Sequence, residues 1–207
     1  MPVKTFAQFI NQLPPSRRQN MFFIQIGGFD GVFDDPIHQF IQPYHWSGII
    51  IEPQPEYYSQ LTKKYQPPQI KILNLAISNH NQPVKLYRPK QDTLTENWKN
   101  CFATMARDRG DIGRMNTNEI ESITVPSQTF NNLIQDHHID QLNLLQIDTE
   151  GYDYQIIKSI DFSLIKPDII HYEHRHLTTS EKKDSHQLLA QANYQIIPLE
   201  FDTIAHQ

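Results

Sequence analysis

Short apolar runs alternate with helix-periodic segments along this chain, which predicts an α/β fold with parallel order at the centre of its sheet and helices on both faces. Two observations sharpen that expectation. The run Met21–Ile26 is large and mostly apolar, as in a strand buried on both faces, and it stops at Gly27-Gly28, with Gly31 close behind. Later runs end in acids at Glu52, Asp148 and Glu173. Those acids would stand at the carboxyl ends of strands, outside which open α/β sheets hold their ligands.

At 207 residues the chain fits one domain, 1–207, with a modest insertion, and can bury enough surface to need no staple. Its one cysteine, Cys101, excludes an internal disulfide and fits a reducing compartment. With 18 Lys+Arg against 23 Asp+Glu it is mildly acidic, and no basic block resembles a nucleic-acid footprint. No apolar run has the character of a secretion signal or a membrane span. A cytoplasmic protein with no nucleic-acid or membrane partner is expected; nothing in the sequence speaks to oligomeric state.

In order, residues 1–20 carry a short capping helix, with Thr5 and Gln8 spaced as a capping box and Phe6, Phe9, Ile10 and Leu13 facing in. After the glycine loop, Asp35-Pro36 starts a helix that faces in through Ile37, Phe40 and Ile41. Gly48–Glu52 is a second buried strand, and Pro55 opens a helix with Tyr58, Leu61 and Tyr65 inward. Ile70–Ser78 reads as a third strand and Val84–Tyr87 as a fourth. Residues 88–122 are polar, hold Trp98, Cys101, Phe102 and Met105, and exceed a normal connection, so they are taken as a lid or insertion. Strands at Ile123–Pro126, Leu142–Asp148 and Asp168–Glu173 then alternate with three helices, at Phe130–His137, after Gly151, and at Ser180–Asn193. The last of these faces in through Leu188, Leu189 and Ala192, and a hairpin, Tyr194–Leu199 with Thr203–Ala205, closes the sheet.

The polar residues gathered at strand ends are Asp30, Glu52, Asp148, Glu150, Glu173 and His174. Glu52 lies about 20 residues beyond the glycine loop, the spacing at which an acid can take ribose hydroxyls. The small residues ending Ile70–Ser78 would let an adenine ring lie flat. G-x-G-x-x-G is absent and no Gly-Lys-Ser/Thr ending makes a P-loop. A carboxylate-lined crevice without Lys or Arg in its loop suits a neutral or cationic nucleoside.

The ordered set FIQIGGFDGV, IIEPQP, NLAIS, LLQIDTEGYD and IIHYEH resembles the FkbM-type methyltransferases that use S-adenosylmethionine, from about Met21 to Ala205. The resemblance implies a Rossmann-like class I methyltransferase sheet of seven strands, mostly parallel with the last antiparallel. It also implies O-methylation of a hydroxyl on a sugar or natural product, so the expected partner is a small-molecule or glycan acceptor. By position, Gly27, Gly28 and Gly31 would approach the methionine part of the cofactor, and Glu52 would bind the ribose. Ala76 and Ile77 would border the adenine, and Asp148 and Glu150 would sit beside the sulfonium and acceptor. Gln25 stands where many methyltransferases have an acid, which shifts the hold on the cofactor's amino group toward Asp30 or Asp148. Phe29 replaces a small or amide residue and narrows the pocket. An acceptor hydroxyl must lose its proton, and Asp148, Glu173 and His174 are the catalytic candidates. Asp148 and Glu173 end neighbouring strands, which permits a divalent ion, as in catechol-type methyltransferases, without requiring one. Two other readings stay open: a non-catalytic binding module on the same fold, and an NAD-dependent oxidoreductase.

Overall fold

The computed structural model describes residues 3–65, 68–90 and 101–207. Its strands are β1 (Phe22–Ile26), β2 (Ser47–Ile51), β3 (Ile70–Leu73), β4 (Ala76–Ile77), β5 (Val84–Pro89), β6 (Ile120–Val125), β7 (Ser127–Gln128), β8 (Leu144–Ile147), β9 (Ile169–Glu173), β10 (Gln195–Pro198) and β11 (Asp202–His206). Its helices are α1 (Phe6–Gln12), α2 (Pro15–Arg18), α3 (His38–Ile41), α4 (Pro55–Lys64), α5 (Phe130–Asp136), α6 (Asp153–Ser159) and α7 (Thr179–Gln191).

Seven strands make the central sheet in the order β10-β11-β9-β8-β1-β2-β3. The run from β9 to β3 is parallel, and β11 is antiparallel to both of its neighbours. Side chains alternate across this sheet. Phe23, Ile50, Leu144, Ile169 and Ile204 face one way and pack against α1, α3 and α4. Ile24, Ile49, Leu145 and Ile170 face the other way, against α5, α6 and α7. The mostly parallel, doubly covered sheet is the one expected from the apolar runs.

Local chemistry explains where the elements depart from expectation. Thr5 caps α1 by accepting from the Gln8 amide at 3.1 Å, but the Gln8 side chain takes the amide of Lys4, not of Thr5. Asp35 Oδ1 accepts from the Ile37 and His38 amides, so the helix it begins is the single turn of α3. On α4 it is Tyr57 that is buried with Leu61, not Tyr58. On α7 the buried stripe is Glu181, Ser185 and Leu189, with Leu188 and Ala192 only partly covered. Ile70–Ser78 is two strands: Asn74 donates to the carbonyls of Glu52 and Pro53, the chain turns there, and β4 pairs with β7 instead of extending β3.

The insertion belongs to a hairpin, since β5 and β6 pair antiparallel on either side of it. Trp98 and the rest of residues 91–100 lie outside the described residues. From Cys101 onward the segment returns along β5, where Thr104 and Tyr87 exchange backbone hydrogen bonds at 2.8 and 2.9 Å. Arg109 then reaches α7 and pairs with Glu181 at 2.6 Å. Among the described residues no helix is long and apolar enough to cross a membrane.

Candidate functional site

A cavity of about 240 Å³ opens at the carboxyl ends of β1, β2, β8 and β9, roofed by Cys101–Met105 and Asp111. One wall is the glycine loop. Gly27 has φ +87°, and a Cβ on it would stand 1.9 Å from the carbonyl oxygen of Asp148. Only glycine lets β1 turn this close to the end of β8. The amides of Gly27 and Gly28 both donate to the Ile51 carbonyl, so this loop approaches a ligand as a surface, without spare donors at those two positions.

Glu52 follows β2 directly and is buried. Its Oε2 accepts from the Phe29 amide and its Oε1 from the Gln54 amide, each at 2.8 Å. Burial nonetheless outweighs those donors and pushes its carboxyl up to about 7. A carboxylate offers roughly four lone-pair sites, more than the two amides occupy, so Glu52 keeps capacity for a ligand's hydroxyl. Ala76 and Ile77 line the cavity near this end.

Asp148, Glu150 and Glu173 crowd the opposite end. Burial and mutual repulsion raise the carboxyls of both Asp148 and Glu173 well above the usual range. Glu150 sits at φ +54°, a conformation uncommon for a side chain of its kind, and lies 3.1 Å from Nε2 of His176. Asp153, fully buried in the first turn of α6, accepts from Thr149 Oγ1 and the Gly151 amide and is pushed up to about 6 by burial.

The family model for the methyltransferase FkbM domain matches residues 25–196, which spans the glycine loop, the acid-ended strands and the hairpin insertion. The chain belongs to the FkbM methyltransferase family. Among solved structures, the FkbM methyltransferase from Methylobacillus flagellatus KT is similar at a TM-score of 0.53 and 10% identity, covering 92% of this chain. The chain spans 44% of that protein's length, and the likeness bears on the fold. A fibrillarin/Nop5p complex matches at TM-score 0.46 and 9% identity, covering 97% of this chain and 79% of that one. A precorrin-6y C5,15-methyltransferase from Geobacter metallireducens GS-15 matches at 0.45 and 10%, covering 93% and 85%. A comparison with curated proteins gives no match.

In this FkbM-family chain Gly27, Gly28, Glu52, Ala76, Ile77, Asp148, Glu150 and Glu173 all line one cavity, while three expected site residues do not. Asp30 turns back on its own loop, with Oδ1 accepting from the Val32 and Phe33 amides at 2.8 Å. Gly31, at φ +69°, packs under Leu61 and Tyr65 of the α4 region. His174 points toward the last hairpin, its Nδ1 2.8 Å from Thr203 Oγ1, and burial lowers its pKa. The histidine that lines the cavity is His176, two residues on, its side chain 4% exposed.

Gln25 and Phe29 also find their places. Gln25 lines the cavity with Oε1 buried and accepting no hydrogen bond among the described residues, and Asp35, which lines it too, has a buried Oδ2 in the same state. Asp30 does not line the same cavity. Phe29, at φ +43°, sets its ring 4.1 Å from that of Tyr57. Asp35 is legible in the sequence as a helix cap, which gives no sign of its place in the cavity wall. Asp111 and His176 carry no local signal; they reach the cavity through the hairpin and the turn after β9.

Proposed function

We propose that this protein is an S-adenosylmethionine-dependent O-methyltransferase acting on a hydroxyl of a small-molecule or glycan acceptor. The observation that carries the reading is one cavity bounded by the glycine wall, Glu52 and Asp148, drawn from three parallel strands of a chain in the FkbM family. The residues present suit that cofactor. A Cβ at Gly27 would clash with the neighbouring backbone, and the unpartnered Gln25 Oε1 and the adjacent Asp35 face the same cavity.

When bound, S-adenosylmethionine supplies a methyl group made electrophilic by its sulfonium. Glu52 would accept from the ribose hydroxyls, and Gln25 with Asp35 from the ammonium. Ala76 and Ile77 offer a flat apolar border for the base. The acidic end has two tasks. It favours a cationic centre, and it provides a carboxylate to take the acceptor's proton as the oxygen attacks. Burial and mutual repulsion favour the protonated forms of Asp148 and Glu173 in the empty site, and the positive charge of a bound sulfonium would draw one of them back to the carboxylate that this second task needs. Alignment of the oxygen is the rest of the catalysis.

Calorimetry with S-adenosylmethionine or S-adenosylhomocysteine tests the reading, and no heat of binding at millimolar ligand rejects it. Glu52→Ala is expected to cost about 1–3 kcal/mol of cofactor affinity by leaving the diol unpaired. Binding without turnover over a panel of hydroxylated acceptors would favour the non-catalytic module. The lack of G-x-G-x-x-G leaves the oxidoreductase reading without a motif.

A further inference from the structure

We propose that Asp111, Glu150 and His176 form a divalent-cation site at the acidic end of the cavity. The three side chains come from three separate segments: the returning insertion, the β8–α6 turn and the turn after β9. One ligating atom from each lies within 4.8 Å of the others. His176 Nε2 is 3.1 Å from Glu150 Oε2 and 3.9 Å from Asp111 Oδ2. Ligands about 2.1–2.2 Å from a shared octahedral ion stand about 3.1 Å apart when adjacent and about 4.4 Å when opposite. The spacings from His176, 3.1 and 3.9 Å, lie between those two values.

An ordinary hydrogen-bonded pair does not account for the cluster. Glu150 Oε2 is buried and accepts no hydrogen bond among the described residues, although the imidazole nitrogen is within reach of it. The ring nitrogen is not aligned for a hydrogen bond with that oxygen, which is left without a partner among the described residues. Glu173 Oε2 is a second buried oxygen without a hydrogen-bond partner among the described residues, and Glu173 Oε1 is 3.8 Å from the same imidazole. Asp111 is divided between tasks: Oδ1 takes Arg114 at 3.0 Å, which leaves Oδ2 for the site. Buried carboxylate oxygens left unpaired are costly, and a cation removes that cost. One imidazole with two carboxylates suits a first-row ion such as Mn²⁺ better than an all-oxygen cage would. Resting on the methyltransferase reading, such an ion would grip the acceptor hydroxyl and lower its pKa.

The test is a titration of the full chain with Mn²⁺ alone, followed by loss of the free-ion electron paramagnetic resonance signal. About one equivalent should be taken up. Glu150→Gln and His176→Gln should each weaken uptake at least about tenfold, since even outer-shell partners of a metal are worth about 10–100-fold. Circular dichroism checks the variants, and if His176→Gln does not fold, Glu150→Gln and Asp111→Asn decide. Absence of uptake by the unaltered chain overturns the proposal. So does uptake that survives both substitutions but is lost in Asp148→Asn, which would put the ion at the strand ends. No cofactor is present in this experiment, so its failure is distinct from failure of the calorimetry.

Discussion

At the β1–β2 end of the cavity Glu52 and the glycine amides are held by backbone hydrogen bonds, with Gln25 Oε1 and Asp35 Oδ2 left over, whereas at the β8–β9 end the acids are in conflict with one another. Glu52 holds two backbone amides, and Gly27 and Gly28 give theirs to Ile51. Glu150 and Glu173 each keep a buried oxygen without a hydrogen-bond partner among the described residues, and Asp148 sits between them under strong mutual repulsion. The first end is a finished wall whose shape comes from backbone geometry. The second is a crowd of acids that repel one another and that their neighbours leave partly unpaired. Pre-organisation and stored electrostatic cost are thus separated along one cavity, a division expected where a ligand must be both held and made to react.

The largest effect should come from breaking the finished wall. Gly27→Ala puts a Cβ against the Asp148 backbone at a left-handed φ, and backbone cannot yield as a flexible side chain would. A loss of about 3 kcal/mol or more in a denaturant titration is expected, with cofactor binding abolished. Near-native stability would mean that the two ends are less tightly joined than their geometry indicates.

A change of pH loads the unfinished end and Glu52 together. Glu52 moves from an ordinary 4.5 to about 7 and Asp153 from 3.8 to about 6 on folding. Folding therefore takes up protons, and the stability these groups contribute is complete below about pH 4 and lost as pH rises through 6 and 7. Denaturation of the ligand-free chain between pH 5 and 8 should show stability falling with pH, by a few kcal/mol in all. A rise over that interval would contradict the assignment. Glu52→Gln should flatten the upper part of the slope.

Two smaller tests separate neighbours. His174→Ala should cost about 1 kcal/mol, through its lost contact with Thr203, and leave cofactor affinity unchanged. A His174 variant that keeps cofactor affinity but loses turnover would return that residue to the site as the base. Arg109→Ala removes a partly exposed cation from Glu181, whose Oε2 keeps the Thr178 amide and hydroxyl as donors, so global stability should change by about 1 kcal/mol. The insertion should instead become more susceptible to limited proteolysis, because Arg109 ties it to α7.

The strand-ending acids Glu52, Asp148 and Glu173 are legible because a parallel strand is an unbroken apolar run, and the residue that ends it must face the crevice. The glycine wall is legible for a similar reason, since few residues other than glycine tolerate such a turn. His174 and His176 show where local reading stops. Both follow β9 within three residues, and only the path of the turn sends one toward Thr203 and the other into the cavity. Asp35 looks like a cap because it is one, and its place in the cavity wall with Gln25 appears only in the fold.

The sequence by itself determined the α/β class, the parallel centre of the sheet, the glycine wall and the acids that end three strands, because each depends on residues adjacent in the chain. Tertiary structure alone decided that Asp111 meets Glu150 and His176, that Asp35 rather than Asp30 lines the cavity with Gln25, and that β4 leaves the main sheet for β7. Those outcomes depend on long-range packing and on charges brought together from distant segments, which no local pattern encodes.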